Sequence, residues 1–205
     1  MIAIIDYGVG NLFSLKSSLN YIGRDAVVTG DPGEIDRCAS VILPGVGAFG
    51  DAAGKLRAGG LHKVILEQAR SGKPLLGICL GMQLLFERGF EYGEHAGLGL
   101  IPGEVTPIES VIPKGYKTPH IGWNGLDFPP GEPVSPIFKY INEGDNVYFV
   151  HSYHASGCEE SVVASADYGA PLTAAVARGN VYGTQFHPEK SGAVGLNILR
   201  AFCEL

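Results

Sequence analysis

The sequence has no surplus of basic residues. Its 15 Lys and Arg stand against 21 Asp and Glu, a net charge of -6 over 205 residues. Binding a phosphate backbone or an anionic membrane requires the opposite balance, so no nucleic acid and no membrane is expected as a partner. Cysteine is scarce: Cys38, Cys79, Cys158 and Cys203 form no CxxC and show no zinc spacing. No metal site follows from them, and a chain this long does not need disulfides. Apolar runs all fall short of the ~20 residues of a membrane span. Met1-Ile2-Ala3-Ile4-Ile5-Asp6 lacks a basic n-region and reads as a first strand, not a leader. Internal repeats, low-complexity tracts and long linkers are missing too. The expectation is a single domain over residues 1–205 in a reducing cytoplasm.

What is present is an alternation of short apolar runs and amphipathic stretches. Ile2 to Asp6, Ala26 to Thr29, Val41 to Leu43 and Leu75 to Ile78 read as strands. Between them Leu12, Leu15, Leu19 and Ile22 recur at helical spacing, with Asn11 as N-cap and Gly23 as stop. Leu61 to Arg70 and Leu80 to Arg88 read as further helices. This order predicts an α/β fold, a doubly wound, mostly parallel central sheet with flanking helices. After Gly89 a glycine-rich loop to about residue 103 is expected. Short strands then follow at 105–108, 117–121, 146–150, 161–166, 172–177 and 181–185, with a hairpin turn at Arg178-Gly179-Asn180. They predict a smaller antiparallel portion. Ser191 to Leu205 closes as a helix. Gly8-x-Gly10 carries Phe13 where a dinucleotide fingerprint needs glycine, so no nucleotide cofactor is expected.

Chemistry concentrates in three segments. Gly77-x-Cys79-x-Gly81 lies between a strand and a helix. A nucleophile on a sharp strand-to-helix turn needs small neighbours two residues away on each side, and the helix end favours thiolate. A buried structural cysteine is the alternative. Gly183-Thr184-Gln185-Phe186-His187-Pro188-Glu189 ends a strand at His187. With Pro188 holding the backbone extended, Glu189 points the same way and can orient the imidazole. Cys79 then has a base and an orienter; a surface histidine in a proline turn is the alternative. Pro44-Gly45-Val46-Gly47 follows a strand and should reach the same sheet edge, where the Val46 and Leu80 N–H groups would form an oxyanion hole. An ordinary tight turn is the alternative there. His151 and His154, three apart on a strand end, face opposite sides and chelate poorly, so no metal is expected. Ser152 and Tyr153 offer hydrogen bonds to a polar substrate. His62 and His95 read as surface residues, and Cys38 and Cys203 as packing.

These three segments, in this order, resemble the signatures of the class I, triad-type glutamine amidotransferases, over nearly the whole chain. Asp6-Tyr7-Gly8-Val9-Gly10-Asn11, Pro119-His120-Ile121-Gly122-Trp123-Asn124, Tyr148-Phe149-Val150-His151-Ser152-Tyr153 and Lys190-Ser191 are similar to the glutaminase subunits of imidazole glycerol phosphate synthases. The resemblance implies a glutaminase of flavodoxin-like architecture, without a cofactor. Its Cys79 would attack the side-chain amide of L-glutamine, with His187 and Glu189 completing the triad. Gly47, Gln83, Glu91, Ser152 and Tyr153 match positions that bind glutamine in that family. The resemblance also implies a heterodimer with a (β/α)8-barrel cyclase subunit. That partner would use the ammonia to make imidazole glycerol phosphate and an aminoimidazole carboxamide ribotide in histidine biosynthesis. Asn11, His120, Trp123, Tyr148 and Lys190 match positions at that interface, although a lone Trp also suits a core. A mobile Pro44 to Gly47 segment that presents or withdraws the Val46 N–H would explain control by the partner's substrate. The competing expectations are a glutaminase subunit for another ammonia acceptor and a catalytically silent binding module.

Overall fold

The four apolar residues at the N-terminus form a strand in which every residue is buried. Successive side chains of a strand point to opposite faces, so such a run must be covered on both sides. The computed structural model describes all of residues 1–205. In chain order the elements are β1 (Ile2–Ile5), α1 (Leu12–Tyr21), β2 (Ala26–Thr29), α2 (Pro32–Asp36), β3 (Ser40–Leu43), α3 (Phe49–Ala58), α4 (Leu61–Arg70), β4 (Leu75–Ile78), α5 (Leu80–Gln83), β5 (Arg88–Gly89), β6 (His95–Ala96) and β7 (Glu104–Pro107). They continue with β8 (His120–Gly125), β9 (Asn146–His151), β10 (Tyr153–Ser156), β11 (Val162–Asp167), β12 (Pro171–Arg178), β13 (Val181–Thr184) and α6 (Gly192–Phe202).

The main sheet has the order β11-β12-β13-β4-β3-β1-β2. Its five strands from β13 to β2 are parallel. β11 and β12 run antiparallel at one edge, and β12 turns into β13 through the expected hairpin. Ala3, Ile5, Val41, Leu43 and Leu75 face α3 and α4. Ile2, Ile4, Ile42, Leu76 and Ile78 face α1 and α6. This is the doubly wound arrangement that the alternation predicts. A four-stranded sheet, β10-β7-β5-β6, and a β8-β9 ribbon lie beside it. Parallel strands deliver their carboxyl ends to one edge. The segments after β1, β3, β4 and β13 therefore converge, in the crevice where open α/β sheets hold ligands.

Several expectations need correction. The helix behind Cys79 ends at Gln83, not Arg88. Leu84, Leu85 and Phe86 are all buried, which no single helical face achieves, and the carbonyls of all three accept N–H groups from residues 98–101 instead. The loop expected over 89–103 contains the end of β5 and all of β6. α3 was not foreseen: Phe49, Ala52, Ala53 and Leu56 are its buried stripe, diluted in the sequence by Gly50 and Gly54. The strand expected at 117–121 begins only at His120, after Pro119, which has no N–H for a ladder. Asn11 stands at the start of α1, but its side chain makes no capping bond.

Candidate active site

Cys79 sits in the turn between β4 and α5 with φ 54° and ψ −112°. A non-glycine residue in such a conformation costs about 1–3 kcal/mol and persists only where its surroundings enforce it. Here the Cys79 N–H donates to the Thr184 carbonyl at 2.7 Å, an extension of the β4-β13 ladder. The neighbouring glycines are required by close backbone approach. A Cβ on Gly77 would stand 2.6 Å from the Gly81 carbonyl oxygen, and one on Gly81 would run into the Leu43 carbonyl. A Cβ on Gly45 would stand 2.8 Å from the Gly81 nitrogen. The turn and the Pro44 to Gly47 segment are therefore packed backbone against backbone. Since α5 is a single turn, it presents a weaker helix dipole at Cys79 than the sequence suggests.

His187 follows β13, and its Nδ1 lies 2.9 Å from Glu189 Oε1, with both side chains only 3 % exposed. The juxtaposition arises differently from the expectation. Pro188–Lys190 is a turn of 3-10 helix, not extended chain. Only His187 is extended (φ −100°, ψ 99°), as the residue before a proline prefers. The Lys190 N–H and the Ser191 hydroxyl both donate to the His187 carbonyl, at 3.0 and 2.7 Å. Burial alone would lower the His187 pKa. Hydrogen bonds and charge interactions with Cys79 and Glu189 outweigh it and lift the pKa to about 9. The side chains thus favour an imidazolium beside the sulfur.

The Val46 and Leu80 N–H groups donate to no group in the protein. Gly47 has φ +96°, and Val46 is 43 % exposed. The Tyr7 hydroxyl donates to the Pro44 carbonyl at 2.8 Å and anchors the segment at its start. Val46, Gly47, Cys79, Leu80, Gln83, Glu91, Ser152, Tyr153, His187 and Lys190 all line one cavity of about 350 Å³. Every residue expected to bind substrate therefore lines the same cavity as Cys79. Glu91 Oε2 accepts the Phe49 N–H at 2.7 Å, which ties its loop to the start of α3.

The residues expected at an interface divide. Trp123 is 54 % exposed, with its ring 5.9 Å from that of Tyr148, and Lys190 Nζ lies 6.0 Å from the centroid of the Tyr148 ring. Asn11 is half-buried beside a small void lined by Val46, His187 and Glu189. His120 departs from the expectation. It is 1 % exposed, stacked against Phe149 and Tyr168, so it lies beneath the surface that Trp123 presents. His62 and His95 are half-buried, not surface residues, and the His95 ring covers Gly50.

Sequence reasoning missed three buried groups. Tyr7 looked like part of a glycine loop. Gln185 was passed over inside its motif. His151 was weighed only as a metal ligand, yet it lines the cavity and its Nδ1 lies 2.8 Å from the Tyr153 carbonyl. Burial drives the His151 pKa down to about 3, so the ring is neutral. Its Nε2 lies 3.0 Å from Nδ1 of His120 through the β8-β9 register, a pairing no local pattern announces. No three His, Cys, Asp or Glu side chains are grouped to hold a metal ion. All four cysteines are free.

Residues 3–204 match the family model described as glutamine amidotransferase class-I. The imidazole glycerol phosphate synthase subunit HisH of Wolinella succinogenes is 48 % identical over 207 aligned positions, covering 100 % of both chains. The protein of the same name from Moorella thermoacetica is 50 % identical, covering 100 % of this chain and 94 % of its own. Among solved structures, PurLQS from Thermotoga maritima superposes with a TM-score of 0.76 at 21 % identity, covering 99 % of this chain and 97 % of that one. A glutamine amidotransferase crystal structure superposes with a TM-score of 0.75 at 19 % identity, covering 100 % and 98 %. At these identities the two structures speak to fold alone.

Proposed function

The chain belongs to the class-I glutamine amidotransferases and, within them, to the HisH subunits of imidazole glycerol phosphate synthase, and from that premise we propose how its residues carry out the reaction. The function is that of a glutaminase subunit in histidine biosynthesis. The Cys79 sulfur attacks the side-chain amide carbon of L-glutamine. The tetrahedral oxyanion is held by the Val46 and Leu80 N–H groups. His187 gives its proton to the amide nitrogen as the C–N bond breaks, and ammonia leaves a γ-glutamyl thioester. Water then attacks the thioester carbonyl and loses a proton to His187. The C–S bond breaks, and glutamate departs. Glu189 holds the imidazole by its Nδ1 throughout. Gly47, Gln83, Glu91, Ser152 and Tyr153 bind the substrate. The observation that carries this reading is the buried His187–Glu189 pair, 2.9 Å apart, beside Cys79 in a cavity that also holds both unengaged N–H donors' residues.

Residues 1–205 act as one catalytic unit, and the ammonia passes to a barrel-shaped cyclase subunit in a cytoplasmic heterodimer. Support comes from the exposed Trp123 ring beside the half-buried Tyr148, with Lys190 shared between the Tyr148 ring and the site. An exposed large aromatic residue is a typical anchor of an interface. Asn11, beside the void lined by His187 and Glu189, is assigned to the same interface, and His120 is buried in the strand that carries Trp123. No helix is long and apolar enough to cross a membrane. The test is glutamate formation from glutamine by the chain alone and with a cyclase subunit and its nucleotide ligand. Stimulation by the partner, lost in Cys79→Ala, is expected. Full activity alone with no response to the partner would overturn the subunit reading.

A further inference from the structure

One buried side chain at the nucleophile has no part in the triad. Gln185 follows β13 and is 0 % exposed. Its amide Nε2 donates to the Cys79 sulfur at 3.7 Å. Which end of an amide faces a neighbour is settled by the network around it. Here that network starts from an unambiguous acceptor, the Tyr153 backbone carbonyl, which takes a hydrogen bond from Gln83 Nε2 at 3.1 Å. Gln83 must therefore present its NH2 in that direction. The same Nε2 donates to Gln185 Oε1 at 3.0 Å. With its oxygen committed to Gln83, Gln185 can only offer its NH2 to the sulfur. A reversed amide would set two NH2 groups against each other and an oxygen against the thiolate.

We propose that Gln185 is a catalytic residue of the glutaminase reaction, donating an N–H to the Cys79 thiolate, with Gln83 fixing the direction of that donor. The inference rests on the function proposed above. A thiolate accepts hydrogen bonds well, whereas the neutral sulfur of a thioester accepts weakly. The contact therefore tightens as charge returns to sulfur. That happens when water adds to the thioester carbonyl, His187 takes the water's proton, and the C–S bonding pair moves onto sulfur. Gln185 and His187 both hydrogen-bond to the sulfur. Loss of the donor slows expulsion of the thiolate, so acyl-enzyme accumulates.

The experiment uses the full chain with Gln185→Met, which keeps length and apolar bulk but removes the donor. Gln185→Glu keeps the acceptor for Gln83 and sets a carboxylate against the sulfur. Iodoacetamide alkylation is followed at Cys79 by peptide mapping, because the other three cysteines are free as well. Alkylation at neutral pH is about tenfold slower in Gln185→Met, the equivalent of losing one charge-assisted hydrogen bond to the sulfur. In Gln185→Glu it is slower still. Either variant alone suffices should the other fail to fold. With glutamine present, hydroxylamine traps more γ-glutamyl hydroxamate from each variant than from the parent. Superimposable alkylation curves overturn the proposal. A parent chain that forms no thioester overturns the glutaminase reading instead, and leaves the alkylation result to judge Gln185 separately.

Discussion

The two buried histidines of the site have pKa values displaced in opposite directions, and this predicts the shape of the pH–stability curve. His187 is raised to about 9 from an ordinary value near 6.5. The folded state holds that proton more tightly than the unfolded chain. The stabilisation is therefore complete below about pH 6.5 and is lost as pH rises through 9. Integrating a shift of this size from pH 6.5 to 8.5 gives a loss of about 2 kcal/mol. His151 is lowered to about 3 by burial. The unfolded chain binds its proton below about pH 6.5 while the folded chain refuses it, so stability falls as pH drops from there toward 3. By pH 5 the cost is again about 2 kcal/mol. His120 and His154, both lowered by burial, add to the acid limb. Stability should thus peak near neutrality, with the melting temperature down by roughly 4–8 °C at pH 5 and at pH 8.5 for a chain of this size. Differential scanning calorimetry at constant ionic strength measures it. The scan stops at pH 8.5 because burial pushes Cys158 and Cys203 up to about 11, and their unfolded thiols ionise first. Cys79→Ala removes one of the groups that lift His187 and flattens the alkaline limb, and His151→Gln flattens the acid limb. A melting temperature constant to about 1 °C between pH 6.5 and 8.5 would refute the assignment of an imidazolium to His187.

Other perturbations have equally definite outcomes. Glu189→Gln leaves the fold intact but deprives His187 of its charged orienter, so kcat for glutamine hydrolysis should fall about a thousandfold or more. A loss under tenfold in steady-state assays would remove Glu189 from the triad. Gly81→Ala drives a methyl group into the Leu43 carbonyl, where no flexible side chain can yield. It should cost more than about 3 kcal/mol in urea unfolding. Gly47→Ala meets no atom within 4 Å and pays only for its positive φ, about 1–2 kcal/mol. Similar midpoints for the two variants would contradict the packing described for the turn. Trp123→Ala should leave partner-free glutaminase activity unchanged and weaken cyclase binding by at least about 2 kcal/mol, roughly thirtyfold in Kd by calorimetry. Unaltered affinity would place the interface elsewhere.

Much of the active site was legible because its requirements are local. A strand, a Gly-x-Cys-x-Gly turn and an x-His-Pro-Glu turn each announce themselves within a few residues, and parallel topology then brings them to one edge. Legibility failed where burial depended on distant partners. Leu84 to Phe86 read as a helix because their apolar character was visible and the irregular segment 98–101 that hydrogen-bonds to them was not. Phe49 to Ala58 was overlooked because glycine weakens a helical pattern that tertiary contacts nevertheless enforce. His120 matched an interface pattern, yet the β8-β9 register turns its ring inward, toward His151.

The sequence by itself marked Cys79 and His187 as the candidate nucleophile and base and predicted the mostly parallel sheet. These follow from residue type and short-range spacing, which act through the local backbone. Only the tertiary structure decided which groups share a proton. The Gln83–Gln185 amides that aim a donor at sulfur and the His120–His151 pair join residues on different segments. Hydrogen bonds are decided by tenths of an ångström, and pKa values by burial. Both are properties of the packed chain, not of the order of its residues.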